Sequence, residues 1–194
     1  MARAPENARD RALAEHALAG ELAAFDRLVE LYQDYLYGMI VRMVRDRELA
    51  EDAVQDAFFS AYRNLSSFSG PSFRAWLTRI ALNAARDILR KRKRRPSEPY
   101  PEWEDDTWQP PAPASEGPEQ LALVAQQRAA LARAMAGITD DQRTAIVLYD
   151  VHGYGYAEIA ELTAVSVGTV KSRIHRGRLA LRERLGPGME LFRG

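Results

Sequence analysis

Apolar positions recur at helical spacing along most of the chain, and nowhere do they alternate as strands require. Residues 1 to about 10 read as a mobile tail. From about 11 to 44, Phe25, Leu28, Val29, Leu31, Tyr32, Leu36, Ile40 and Met43 build apolar stripes. Gly20 and Gly38 read there as punctuation or as points of close packing. Asp46 is placed to cap a helix from about 47 to 64 whose inward side is Val54, Phe58, Ala61 and Leu65. Its outward side carries Glu48, Asp52, Gln55, Asp56 and Phe59. An acidic stripe is usually a solvated face, but one that includes a phenylalanine is more often a docking surface. The segment SSFSGPS at 66–72 has loop chemistry. A long helix then spans about 73–93, with Phe73, Leu77, Ile80, Ala84 and Ile88 expected inward and Leu82 and Leu89 on an otherwise polar face. On a second face stand Arg79, Asn83, Arg86 and Arg90, with Trp76 beside them. Cations that follow phosphates and an aromatic that offers a stacking surface suit single-stranded nucleic acid. The plainer alternative, a Trp76 that only covers the core and arginines that are only solvated, stays open at this point.

Farther on, Leu121, Val124, Leu131 and Met135 mark a helix ending near Gly137. Thr139 and Gln142 form a capping box reinforced by Asp140 and Asp141. That helix is expected to carry Ile146, Val147, Leu148 and Val151 to a break at Gly153. The stretch 156–185 reads as a helix, a tight turn and a longer basic helix capped by Ser166. At about 100° per residue, Val170, Ile174, Gly177 and Leu181 fall on the buried face of that last helix. Opposite them lie Thr169, Ser172, His175 and Arg176. Lys171, Arg178 and Arg182 run down one flank, Arg173 and Arg184 down the other. Hydrogen-bonding groups between two rows of cations suit a DNA major groove, and Gly168 leaves room for a backbone to approach the helix start. An amphipathic helix with merely solvated arginines is the competing interpretation.

Composition narrows the class. The 194 residues suffice for one large or two small domains, and the hydrophobic fraction of 46% suffices for cores. The chain has no cysteine, which removes disulfides and thiolate metal sites and fits a cytoplasmic protein. Its histidines, His16, His152 and His175, have no metal-ligand spacing. No apolar run is long enough for a membrane span, and the N-terminus lacks a signal-peptide core. Gly-rich phosphate loops and nucleophile-base pairs are missing too, so no enzyme, cofactor or metal is expected. Net charge is zero, but it is distributed in blocks. Residues 86–95 hold seven basic side chains and one acid, whereas 97–127 hold seven acids and no Lys or Arg. Seven of the ten prolines lie in 96–118, which reads as an acidic tether unable to fold alone and able to reach roughly 70 Å. Tyr100, Trp103 and Trp108 are unusual in a pure spacer and point to docking.

Taken in order, AEDAVQDAFFSAYRNL at 50–65, SFRAWLTRIALNAARDIL at 72–89, ITDDQRTAIVL at 138–148 and YAEIAELTAVSVGTVKSRIHRGRLAL at 156–181 resemble bacterial sigma factors of the extracytoplasmic-function type, in the sigma-70 family. The resemblance covers about residues 20–185. It implies an all-α chain: 1–19, an N-terminal tail and short helix; 20–95, a sigma-2 domain; 96–118, the flexible acidic Pro-rich linker; 119–186, a sigma-4 helix-turn-helix domain; 187–194, a C-terminal tail with no further domain. It also implies a division of labour. Asp52, Gln55, Asp56 and Phe59 would dock on core RNA polymerase. The loop, with Ser69 and Gly70, would accept a flipped base of the −10 promoter element, and Trp76, Arg79, Asn83, Arg86 and Arg90 would hold the opened strand. Thr169, Lys171, Ser172, Arg173, His175, Arg176 and Arg178 would read the duplex −35 element. The implied partners are core polymerase, promoter DNA and an anti-sigma protein, for a chain that is monomeric when free and serves a stress or envelope regulon.

Four positions depart from the family pattern: Ala164 where a turn glycine is usual, Gly155 where a hydroxyl residue often caps, and the apolar Leu82 and Leu89. The rival interpretations are a helix-turn-helix regulator with an N-terminal ligand or dimerisation domain, and a helical adaptor without DNA binding. The first leaves the Trp76–Arg79 stripe and the tether unexplained, and the base-reading face at Ser172 and Arg176 argues against the second.

Overall fold

The computed structural model describes residues 3–94 and 117–186, and every regular element among them is helical. Two compact units divide the chain, Met1–Glu98 and Pro99–Gly194. The expected tether at 96–118, with Tyr100, Trp103 and Trp108, lies almost wholly outside the described residues, as does the tail at 187–194.

The first unit contains α1 (Arg3–Leu18), α2 (Leu22–Val44), α3 (Arg47–Arg63), a 3-10 turn at Leu65–Ser67 and α4 (Phe73–Arg94). α2, α3 and α4 pack mutually, and α1 lies against α2 and α4. Leu28, Leu36, Met39, Ile40, Val44, Ala57, Ala61, Leu77 and Ala81 fill the core. Gly20 ends the first helix with φ +99°, a conformation open to glycine, whereas Gly38 stays inside α2 with its carbonyl accepting from Arg42. Arg45 takes a left-handed conformation after α2, and Asp46 caps α3 by accepting from the Leu49 amide at 3.1 Å. Arg92 closes this corner, donating to the Val44 carbonyl at 3.0 Å and pairing with Asp46 at 2.7 Å. One of the seven basic residues of 86–95 is thereby used inside the fold.

Two expectations are corrected here. The N-terminal segment is helical from Arg3, and Asp10, placed in a mobile tail by its sequence, is fully buried. Its carboxylate accepts from Arg9 at 2.8 and 3.0 Å and from the Tyr32 hydroxyl. Burial first, and this carboxylate second, push the Tyr32 hydroxyl pKa above its ordinary value. The buried face of α4 is also rotated from the expected one. It comprises Phe73, Leu77, Thr78, Ala81, Leu82, Ala85 and Leu89, while Ile80, Ala84 and Ile88 are only half-buried. α4 is packed by α1, α2 and α3 together, and the small Thr78, Ala81 and Ala85 let those neighbours approach. Leu82 and Leu89 are therefore core residues and not apolar exceptions on a polar face.

The second unit contains α5 (Pro118–Ala136), α6 (Asp140–Ile146), a π turn at Val147–Val151, α7 (Tyr156–Thr163) and α8 (Val167–Leu185). α8 packs on α5, α6 and α7. The capping box is present: the Thr139 hydroxyl accepts from the Gln142 amide at 3.3 Å, and the Gln142 side chain accepts from the Thr139 amide at 3.1 Å. Beside it Arg143, 2% exposed, donates to the Met135 carbonyl at 3.0 Å and the Ile138 carbonyl at 2.9 Å, and pairs with Asp140 at 2.7 Å. It thus satisfies carbonyls at the end of α5 that the helix cannot. The π turn inserts a residue before the break at Gly153, so Val147 and Leu148 face inward while Val151, expected to be carried inward with them, is 45% exposed. Leu121 is likewise exposed, whereas Ala134 of α5 is buried.

Gly177 brings α8 close to α6: a Cβ there would stand 2.6 Å from Ile146 Cδ1 and 3.2 Å from Gln142 Cβ. Val170 and Ile174 are buried on the same face, and Leu181 is half-buried. Arg184 is exposed, and its guanidinium lies near Gly137 at the α5–α6 corner. Among the described residues no helix is long and apolar enough to cross a membrane.

Candidate nucleic-acid interface

The turn between α7 and α8 presents α8. Ala164 ends α7 at φ 53°, ψ 44°, a left-handed conformation that costs an alanine roughly 1 kcal/mol relative to glycine. At the other end of α7 the Gly155 amide donates to Glu158 at 2.7 Å, which supplies half of a capping box without a hydroxyl. Ser166 caps α8, accepting from the Thr169 amide at 3.1 Å. With Val170, Ile174 and Gly177 turned inward, Lys171, His175, Arg176 and Arg178 are exposed, and Thr169, Ser172 and Arg173 half-buried.

The expected base-reading face is therefore assembled, and its cations are already organised. Arg176 donates to the Ser172 hydroxyl. Arg173 pairs with Asp141 on one flank, and Arg178 pairs with Asp150 on the other. The hydrogen bond to Asp150 is the main cause that holds Arg178 charged more firmly than an ordinary arginine. Beneath that flank Tyr149 and Tyr156 stack with ring centroids 4.8 Å apart. Lys171 Nζ lies 5.5 Å from the Tyr156 ring and Arg178 lies 5.3 Å from the Tyr149 ring. This two-tyrosine shelf escaped the sequence because the π turn sets the direction of Tyr149. Exposed ion pairs contribute only about 0–1 kcal/mol, so a phosphate can compete for these arginines. A Cβ at Gly168 would meet only Ser166 Oγ, at 3.8 Å, so the space outside the helix start is open.

On α4, Arg79, Asn83 and Arg90 are exposed, and Trp76 and Arg86 half-buried. Arg90 pairs with Asp87 on the same helix. The Trp76 ring is 5.5 Å from both Phe68 and Phe73, which themselves meet edge to face at 5.4 Å. One side of Trp76 thus belongs to the aromatic floor of loop 66–72 while the residue as a whole keeps solvent contact, so its packing and stacking interpretations are compatible. Ser69 in the loop is exposed. Gly70 is half-buried, and its carbonyl accepts from Arg11 of α1 at 2.9 Å.

Asp52, Gln55, Asp56 and Phe59 are all exposed on α3, Phe59 by 62%. Phe59 and Gln55 border an apolar groove of about 610 Å³ between α2 and α3, floored by Leu22, Phe25, Val29, Val54, Phe58 and Tyr62 and edged by Asp34 and Glu51. Phe25 and Tyr62 pack edge to face at 4.9 Å within it. Phe25 and Phe58 were assignable from the sequence only to the core; that they also line a groove depends on how α2 and α3 meet.

Comparison with known proteins gives consistent results. Residues 28–95 match the family described as Sigma-70 region 2, and residues 128–181 match Sigma-70, region 4. The chain is 39% identical over 183 residues to the RNA polymerase sigma-H factor of Pseudomonas aeruginosa, covering 92% of this chain and 95% of that relative. It is 37% identical over 186 residues to the ECF RNA polymerase sigma-E factor of Escherichia coli K12, covering 94% and 97%. Among solved structures, CnrH in complex with the cytosolic domain of CnrY is 28% identical with a TM-score of 0.64, covering 92% of this chain and 98% of that one. The sigma factor RpoE in complex with the anti-sigma factor NepR from Bartonella quintana is 27% identical with a TM-score of 0.65, covering 84% and 96%.

Proposed function

The chain belongs to the sigma-70 family, as an extracytoplasmic-function sigma factor, and from that premise we propose how its surfaces divide the work of promoter recognition. It directs core RNA polymerase to specific promoters and assists melting at the −10 element; it is not an enzyme. Domain 20–95, with α1 added to it, acts as sigma-2, and 119–186 acts as sigma-4, with 96–118 joining the two. Thr169, Ser172, His175 and Arg176 read base edges of the −35 duplex, while Lys171, Arg173 and Arg178 hold its phosphates. Ser69 and Gly70 receive an unpaired −10 base, whose extrusion costs a few kcal/mol. Trp76, Arg79, Asn83, Arg86 and Arg90 hold the opened strand by stacking and charge. Asp52, Gln55, Asp56 and Phe59 dock on core polymerase, with Gln55 and Phe59 bordering the apolar groove.

The observation that carries this reading is the face of α8. Its base-capable groups stand opposite a buried stripe of Val170, Ile174 and Gly177, with paired cations on both sides. An anti-sigma protein is proposed as a further partner, since the two similar solved structures each contain a second protein. The protein works in the cytoplasm, is monomeric when free and serves a stress or envelope regulon.

The test uses the full chain with core polymerase and a library of random promoters. Transcription is expected from a defined −35/−10 pair, with only weak binding of the chain alone to that DNA. Tight binding to a palindrome as a dimer without polymerase would instead identify an ordinary helix-turn-helix regulator.

A further inference from the structure

Loop 66–72 is tied to a distant part of the chain. Arg11 Nη2, on the exposed side of α1, donates to the Gly70 carbonyl at 2.9 Å across a separation of 59 residues. α1 also packs against the 3-10 turn Leu65–Ser67 and against α4, the elements at the two ends of the loop. The seat of α1 is itself fixed from below. Asp10, adjacent to Arg11, is fully buried between Arg9 and the Tyr32 hydroxyl. The Tyr32 ring lies 5.8 Å from Phe73, which joins Phe68 and Trp76 beneath the loop. The same helix therefore reaches the loop from above through Arg11 and from below through Asp10, Tyr32 and Phe73.

We infer that α1 is the positioning element of the base-accepting loop, with Arg11 as the positioning residue that fixes the Gly70 carbonyl and thereby sets selectivity for the unpaired base. The inference rests on the proposed role of loop 66–72 in receiving that base. A pocket rejects the wrong base only while its polar groups hold their places to within about 0.5 Å, which requires support from neighbouring elements. Phe68 anchors one point of the loop on Phe73 and Trp76, but the serines, glycine and proline that follow it supply little further rigidity through packing. Arg11 acts through the backbone, so it leaves the cations available to the strand on α4 untouched. A Cβ at Gly70 would meet nothing within 4 Å, so the space beside the held carbonyl is open.

The experiment uses holoenzyme assembled from full-length chain and core polymerase. It measures binding of single-stranded oligonucleotides carrying the −10 element selected from the promoter library, each with one base replaced. With Arg11→Ala, the ratio of selected over replaced base is expected to fall about three- to tenfold at the position of strongest selection, as loss of one solvent-exposed hydrogen bond implies. Affinity for core polymerase and for a scrambled oligonucleotide stays unchanged. Arg11→Lys, which keeps a charged donor, restores part of the ratio, and Arg27→Ala, which removes an exposed cation from α2, does not alter it. Equal weakening on selected and scrambled strands, with a shallower salt dependence, would make Arg11 a phosphate contact and overturn the inference. An unchanged ratio in Arg11→Ala against a selective parent overturns it as well. A parent with no base preference, together with a silent Trp76→Ala, would remove the loop's role itself and the inference with it, a result distinguishable from the other two.

Discussion

At the residue scale, two conformations give direct tests. Ala164 occupies the left-handed region in which a Cβ is penalised, so Ala164→Gly is expected to stabilise the C-terminal unit by about 0.5–1 kcal/mol, read from thermal or urea unfolding. An unchanged or lower midpoint would show that Ala164 carries no strain. Tyr32 keeps its proton more firmly in the folded chain than in the unfolded one, because burial and Asp10 oppose the phenolate. A raised pKa contributes stability that is fully present below the ordinary value of 10.0 and is lost as pH climbs above it. The first unit should therefore weaken above about pH 10, and Tyr32→Phe should flatten that part of its stability-pH curve. The same alkaline slope in both proteins would place the effect elsewhere. Neither Asp10 nor Arg11 was legible at this scale: Asp10 meets Tyr32 22 residues away, and Arg11 meets Gly70 at a distance of 59. Periodicity carries no information about such contacts.

At the scale of elements, the helix caps and the α8 face were legible, and the α4 face was not. Ser166, Thr139 with Gln142, and Asp46 cap as their residue types require, since a cap is a contact over three positions. α8 has a narrow apolar stripe, so about 3.6 residues per turn fixed its orientation. α4 carries Ile80 and Ile88 as well as Leu82 and Leu89, so its apolar residues span more than one stripe. The choice was made by contacts with α1, α2 and α3. Close packing of α8 on α6 gives the element-level test. Gly177→Ala places a methyl where Ile146 Cδ1 and Gln142 Cβ stand, and is expected to destabilise the second unit by about 1–3 kcal/mol. Ile146→Val removes the nearer obstacle, so the double variant should recover part of that loss in a double-mutant cycle. Simple additivity would mean that the helices separate without resistance.

At the scale of the whole molecule, each unit has its own core, and each carries one of the two nucleic-acid surfaces proposed above. In holoenzyme on duplex −35 DNA, Arg176→Ala is expected to lose about 1–3 kcal/mol of discrimination at the base it reads. Lys171→Ala should weaken binding on all sequences alike and lower the salt slope by about 1. Equal losses on scrambled sites for Arg176→Ala would remove it from the base-reading set.

The basic helix-turn-helix opened by Ser166, the aromatic and cationic stripe of α4, the acidic face of α3 and the blocks of charge were all determined by the sequence alone. Each is a local property, set by residue type at fixed spacing, and local spacing is what helical geometry converts into a face. Tertiary structure alone decided which side of α4 is buried and that Arg92 and Arg143 serve the fold. It also decided that Arg173 and Arg178 are held by Asp141 and Asp150, and that α1 reaches loop 66–72 through Arg11. Those outcomes depend on which distant surfaces meet, and that is set by the packing of whole helices.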